Sequence, residues 1–267
     1  MTTIVVSVTC YENENEVLEF ADKLSKQDCS ESIAFLITCN KCRNIEVFRT
    51  KMEKIKLKSY VFNPGKNLGY LNGCLYGLKK YGENYTWAVI SNTDVEFMSN
   101  RFFKNFIGEK YGTEIGCVGP DVCLQDAITH QNPFFLTRPS RRAMKLRRAI
   151  YSNYPLYSLY CLLSSMKAKL KKKTVERSGQ VYSVHGSIVV LRKKVVDALL
   201  EGENQIFMYG EELYIAEIVR KNNLISYYDK ELEIRHKENQ VTGKIPSRRK
   251  QEWISRSTSF LVSRFWS

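Results

Sequence analysis

Three short stretches of this chain put polar or flexible residues where chemistry could be done. The first is Ser91-Asn92-Thr93-Asp94, which ends an apolar run with a carboxylate at its tip. A carboxylate at a strand end can hold a divalent cation that bridges two phosphates, although an Asx turn uses the same residues. The second is Asn67-Leu68-Gly69-Tyr70-Leu71-Asn72-Gly73, two asparagines and two glycines leading into a helical pattern. Glycine lets a ligand approach the backbone and a helix N-terminus favours an anionic group; close helix packing is the alternative use. The stretch is neither a Walker loop nor a GxGxxG fingerprint. The third is Phe207-Met208-Tyr209-Gly210-Glu211-Glu212, with adjacent carboxylates at the start of a helix. The helix dipole stabilises their charge, so a general base there needs burial or a nearby anion to keep its pKa useful. Favourable dipole charge alone is the plainer reading.

Other reactive side chains are scattered. His236 follows an extended segment between Arg235 and Lys237, and His130 and His185 stand apart from it in sequence. A single histidine is as often structural as functional. Among eight cysteines, Cys39-Asn40-Lys41-Cys42 holds the closest pair, and no second pair at zinc-site spacing accompanies it. Buried, reduced thiols account for the set.

The elements that must position these residues alternate along the first half. Apolar, β-branched runs at 4–9, 33–38, 60–62, 85–91 and 115–119 read as strands. Helical spacing joins Val17, Leu18, Phe20, Ala21 and Leu24, continues in 45–57, and reappears after the loop that opens 67–80. Alternation of this kind predicts a mostly parallel sheet with helices on both faces, whose ligands bind beyond the carboxyl ends of the strands. The second half is less regular, with a strand-like run at 181–191, helices near 193–200 and 210–223, and extended segments at 225–228 and 231–236.

The charge is unevenly placed. The chain of 267 residues has a net charge of +13, of which the window 138–177 carries +11 and the segment 235–267 carries +6, leaving −4 for the rest. In that window Ala143, Leu146 and Ile150 fall on one helical face opposite Arg141, Lys145 and Arg148. After Asn153 and Pro155, residues 156–170 form a second helical pattern, closed by Lys171, Lys172 and Lys173. Basic, aromatic and apolar residues together suggest a helix lying on an anionic membrane; a hairpin whose apolar stripe packs on its own core is the alternative. No apolar run approaches the roughly 18 residues of a membrane span, and residues 1–10 lack a basic leader, so the chain is expected in the cytosol, peripherally bound to the inner membrane face. No nucleic-acid motif accompanies the basic charge. The expected organisation is a catalytic domain at 1–240, with the basic helical insertion at 138–177, and a basic helical tail at 241–267.

Taken in order, these motifs resemble family 2 inverting glycosyltransferases of the GT-A fold, especially the bacterial rhamnosyltransferase-like branch that builds surface polysaccharides. Residues 4–11, Asn67-Leu68-Gly69-Tyr70, Asn92-Thr93-Asp94-Val95 and residues 207–212 carry the resemblance, with Gly186-Ser187 before the last and His236 after it. It implies a GT-A (Rossmann-like) α/β fold and transfer of a sugar from a UDP or dTDP sugar to a hydroxyl of a lipid-linked glycan, as in capsule or O-antigen synthesis. It further implies Mn2+ or Mg2+ held by Asp94 and His236, and Glu212, or else Glu211, as the base. Thr9, Tyr11, Glu12, Cys39, Asn67, Gly69, Asn92, Thr93 and Gly186 would surround the nucleotide sugar. The chain departs from the family pattern at three places: Cys39 or Asn40 stands where an aspartate is usual, Glu212 replaces an aspartate, and Tyr214 replaces an acid. Those departures leave a non-catalytic protein of the same fold, binding a glycan, a lipid head group or a partner transferase, as the alternative.

Overall fold

A computed structural model describes residues 4–109, 111–126, 128–170, 177–237 and 247–267, with the side chains of 165–170 outside the description. Strand β1 (Ile4–Tyr11) is buried on both faces almost to its end, as expected of a central strand covered on both sides. Helix α1 (Glu14–Ser25) turns Val17, Phe20, Ala21 and Leu24 onto one face of the sheet. Strand β2 (Ile33–Lys41) follows, then α2 (Ile45–Glu53), opened by Asn44, whose side chain accepts from the Val47 amide. Next come β3 (Lys58–Phe62), α3 (Tyr70–Tyr81) and β4 (Trp87–Ser91). These strands lie in the order β3-β2-β1-β4, all parallel, with Ile4 opposite Ile33 and Cys10 opposite Cys39.

The remaining strands extend the same sheet in mixed directions. They are β5 (Val95–Phe97), β6 (Ile115–Leu124), β7 (Gly179–Val181), β8 (Ile188–Arg192) and β9 (Ile225–His236). The helices among them are α4 (Phe102–Gly108), α5 (Arg141–Tyr151), α6 (Tyr154–Leu170), α7 (Lys193–Glu201) and α8 (Glu211–Lys221), with α9 (Arg248–Phe265) last. The full order is β3-β2-β1-β4-β8-β6-β9-β5, with β7 beside β9. Strand β8 runs antiparallel between β4 and β6, a direction that a short apolar run cannot reveal. Helices α1, α2 and α4 cover one face of the sheet; α3, α7, α8 and α9 cover the other.

Several expectations are corrected here. The run 181–191 is two strands broken at Tyr182–Ser187, because Ser183 bridges to Phe135 and the chain turns at Gly186. The extended segments at 225–228 and 231–236 are one strand, β9, which keeps pairing with β6 across a register shift at Pro120/Asp121. On α5 the buried residue is Met144, whereas Ala143 and Leu146 face solvent. The 241–267 segment is no free appendage over its described part, residues 247–267. Helix α9 buries Leu261, Val262 and Phe265 in the core, the Trp266 indole donates to the Pro139 carbonyl (2.8 Å), and the Arg138 guanidinium donates to the Phe265 carbonyl (2.6 Å). The expected boundary at 240 and the residues Lys171, Lys172 and Lys173 lie outside the described residues, as do the side chains of Lys167 and Lys169.

The basic window divides accordingly. Arg138 is structural: its guanidinium bonds the fully buried Glu217 (2.6 Å), which also takes Arg220 (2.9 Å) and the Tyr182 hydroxyl (2.7 Å). Despite burial, those donors hold the Glu217 carboxyl below its ordinary pKa. Arg147 stacks over Phe135 at 4.8 Å. Arg141, Arg142, Lys145 and Arg148 remain exposed.

Candidate active site

Beyond the carboxyl end of β4 the chain turns through Asn92, Thr93 and Asp94 into β5, and β5 pairs with the end of β9 so that Val95 lies opposite His236. This pairing brings Asp94 and His236 together from 142 residues apart in sequence. His236 Nδ1 lies 2.8 Å from the Gln131 side-chain oxygen, an acceptor, so in this amide orientation Nδ1 carries the proton. In the neutral ring Nε2 then presents a lone pair to Asp94 Oδ1, 3.2 Å away. Asp94 Oδ1 is buried and accepts no hydrogen bond. Two acceptors facing each other at that range are stable only with a shared proton or a cation between them. The donors therefore fit a divalent metal, oxygen and imidazole being ordinary ligands of Mn2+ and Mg2+ sites. His185 borders the pair, its ring 5.8 Å from that of His236. Burial first, then repulsion from His236, presses its pKa down to about 3, so His185 is neutral at neutral pH.

The paired glutamates open α8. Gly210 precedes them with φ +101, a conformation that suits glycine, and Leu261 and Ser257 of α9 pack against it. Backbone amides, among them those of Gly186 and Gly210, bond the Glu212 carboxylate. Glu211 Oε2 is buried without a partner. Burial above all, then repulsion from Glu212, pushes Glu211 up to about 8, while burial raises Glu212 against the pull of its amide donors. A Cβ at Gly186 would come within 3.0 Å of Glu212 Oε1, so Gly186 packs closely against that carboxylate.

The glycine-rich stretch is welded to this motif. Gly69 has φ +79, and a Cβ there would sit 2.0 Å from the Phe207 carbonyl oxygen. The Tyr70 amide donates to that same carbonyl (3.2 Å), and the Tyr70 hydroxyl donates to the Gly186 carbonyl (2.8 Å). Asn67 caps the turn by accepting from the Gly69 amide (2.9 Å).

The other expected residues separate into those beside the crevice and those tied up elsewhere. Tyr11 is exposed, and Glu12, at φ +58, pairs with Lys41 at 2.8 Å. Lys41 accordingly lowers the Glu12 pKa. Thr9 packs its methyl against Gly73 of α3. Thr93 is buried and bonds Glu16 and Asn13 of the β1–α1 turn, which locks the ends of β1 and β4 together. The Asn92 amide donates to the Ser187 carbonyl (2.7 Å). Cys39 is corrected: it is 2% exposed and packed against the α1–α2 face, not toward the crevice. The strand's alternation turns its neighbour Asn40 the other way, and Asn40 clamps the second motif, donating to the Gly69 carbonyl (2.9 Å) and accepting from the Leu68 amide (3.1 Å).

Two groups escaped the sequence reading. Gln131, which orients His236, sits in an irregular segment with no pattern to mark it. Helix α9 buttresses the glutamate motif: Ser257 donates to the Met208 carbonyl (3.1 Å), and Trp253 stacks near Phe207 and Tyr209. Tyr214, where the resembled family has an acid, is fully buried against Phe260 and Phe265 of that helix.

No protein-family model and no curated protein matches the chain by sequence. Solved structures do match its shape. A mannosyltransferase from Pyrobaculum calidifontis, in complex with GDP-Man and Mn2+, superposes over 99% of this chain and 70% of its own, with a TM-score of 0.57 at 10% identity. GalNAc-T7 with UDP, GalNAc and Mn2+ matches 99% of this chain and 49% of its own, TM-score 0.60 at 11% identity. The catalytic domain of Drosophila beta1,4galactosyltransferase 7, complexed with xylobiose, covers 96% of this chain and 80% of its own, TM-score 0.50 at 11% identity. The chain has the mixed α/β GT-A fold of these enzymes.

Proposed function

We propose that the protein is an inverting glycosyltransferase of the rhamnosyltransferase-like branch, moving a hexosyl or deoxyhexosyl group from a UDP or dTDP sugar to a hydroxyl of a lipid-linked glycan in bacterial surface polysaccharide synthesis. The observation that carries this reading is the approach of Asp94 Oδ1 to His236 Nε2 at 3.2 Å, a carboxylate and an imidazole suited to a divalent metal, in a fold that sets the adjacent glutamates Glu211 and Glu212 at the start of α8. The comparison enzymes, solved with nucleotide sugars and Mn2+, support it by fold.

Asp94 Oδ1 and His236 Nε2 would hold the divalent ion, which when bound neutralises the donor diphosphate and the charge that develops on the leaving group. The protein's own groups do the rest. Glu212, whose pKa backbone amides pull down against the effect of burial, takes the proton from the acceptor hydroxyl as that oxygen attacks the anomeric carbon from the face opposite the diphosphate. Glu211, protonated at neutral pH, spares Glu212 a second charge beside it. Gly186 leaves space for the sugar, and Tyr70 holds the Gly186 carbonyl so that its amide stays on Glu212.

The hairpin α5–α6 supplies the membrane part of the reading. Leu156, Leu159, Leu162 and Leu163 are about half exposed or more, and at 100° per residue they span an arc of about 120° on α6. Leu146 on α5 is 62% exposed, beside the exposed Arg141, Arg142, Lys145 and Arg148. Apolar side chains rimmed by cations complement an anionic bilayer surface, where a lipid-carried acceptor resides. Among the described residues no helix is long and apolar enough to cross a membrane.

In an assay of sugar transfer, Glu212→Gln and Asp94→Ala should each lower turnover by about a hundredfold or more with the fold intact, in line with general-base contributions of about 10² to 10⁴. Turnover near wild type in both variants overturns the proposal.

A further inference from the structure

The sequence pairs Cys39 only with Cys42, but the fold adds a third thiol. Cys10 lies opposite Cys39 in the β1–β2 ladder, at the point where the register shifts before Tyr11, and Cys42 follows the last residue of β2. The three sulfurs lie within 4.8 Å of one another, and Cys10 and Cys42 approach to 3.7 Å. A tetrahedral ion with metal–sulfur bonds of roughly 2.3 Å sets its sulfurs roughly 3.8 Å apart, so small side-chain rotations close the triangle. Among the described residues no other His, Cys, Asp or Glu group of three meets this spacing.

We infer that Cys10, Cys39 and Cys42 form a three-thiolate site for a thiophilic d10 cation, Zn2+ or Cu+, separate from the oxygen and imidazole donors of Asp94 and His236. The chemistry of the two donor sets keeps them apart, since sulfur selects Zn2+ and Cu+ whereas carboxylate favours Mg2+ and Mn2+. The thiols release their protons to solvent as the cation binds. Glu14 stands close enough to Cys42 to add negative charge. Cys10 and Cys39 are buried, while Cys42 is part-exposed and gives the ion its route in. Occupied, the site would staple the ends of β1 and β2 one residue from Tyr11 and from Asn40, the residue that clamps the Gly69 loop.

The test uses the full chain, reduced and stripped of metal, titrated with Cd2+ while the sulfur-to-metal charge-transfer absorbance is followed and with Zn2+ as competitor. One equivalent should saturate the band. Cys10→Ser, Cys39→Ser and Cys42→Ser should each weaken Cd2+ binding by about a hundredfold or more, at or beyond the 10- to 100-fold typical of losing a supporting group alone, while Asp94→Ala leaves it unchanged. Because a buried serine could disturb folding, alkylation of the wild-type chain gives an independent readout: Zn2+ should protect Cys42 and leave Cys29 as reactive as before. A folded wild-type chain without the band, Cys42 alkylated equally fast with and without Zn2+, or isolation with two of the three joined in a disulfide would overturn the assignment.

Discussion

The two halves of the sheet solve opposite problems. In the parallel half, β3-β2-β1-β4, the buried positions are overwhelmingly aliphatic or aromatic, with Ile4, Val5, Val6, Ala34, Phe35 and Leu36 wholly enclosed. In the mixed half and the turns feeding it, buried positions include Asp121, Ser183, Ser187, Asp229 and His236, and Asp94, Ser183, Glu211 and Arg235 each keep a buried polar atom without a hydrogen bond, whereas the parallel half buries Ser7, Thr38, Asn40 and Ser91 and keeps one such atom, Thr38 Oγ1. Each such orphan costs on the order of 1–3 kcal/mol. Most of that cost falls in the mixed half and its turns, so the parallel half reads chiefly as scaffold and the other chiefly as site.

Exchanging damage between the halves should separate stability from chemistry. Phe35→Ala, in the scaffold, should destabilise the chain by about 3–5 kcal/mol in urea denaturation while transfer per folded molecule stays near wild type, the reverse of what Glu212→Gln does. Equal losses of both properties in both variants would erase the distinction. Gly69→Ala sits on the seam. Its left-handed φ and the 2.0 Å approach to the Phe207 carbonyl should cost about 1–3 kcal/mol and slow transfer as well, since the two motifs must part.

A smaller effect follows from Glu211. Below the ordinary carboxylate pKa of 4.5 both folded and unfolded chains hold its proton; between 4.5 and about 8 only the folded chain does. The unfolded state binds fewer protons there, so this group takes stability away as pH rises through that window. Melting temperatures of Glu211→Gln should therefore gain on wild type between pH 5 and pH 8, and a constant gap would refute the burial. The hairpin acts on attachment rather than on turnover or stability. Replacing Arg141, Arg142, Lys145 and Arg148 by glutamine should weaken flotation with anionic vesicles by about 1 kcal/mol per charge and leave transfer to a soluble acceptor unchanged.

What the sequence disclosed follows the same division. Periodicity located the parallel half, because β-branched runs and amphipathic helices there obey local rules. Motifs singled out Asp94 and His236, yet their meeting depends on β5 and β9 pairing across 142 residues, which no local pattern encodes. Cys39 was named for the nucleotide pocket, but a shift of one residue along a strand reverses the side chain, and it is Asn40 that points toward α3. The role of α9 was hidden for another reason. Its charge drew attention to the basic residues at its start, while the residues that anchor it, Leu261, Val262, Phe265 and Trp266, are clustered at its far end.

The most direct measurement is calorimetric titration of the chain with UDP, dTDP and GDP sugars, with and without Mn2+. A catalytic crevice predicts that at least one donor binds only with Mn2+, that Asp94→Ala abolishes this binding, and that Glu212→Gln preserves it. Absence of binding by every donor in the presence of Mn2+, or binding unaffected by Asp94→Ala, would contradict the account.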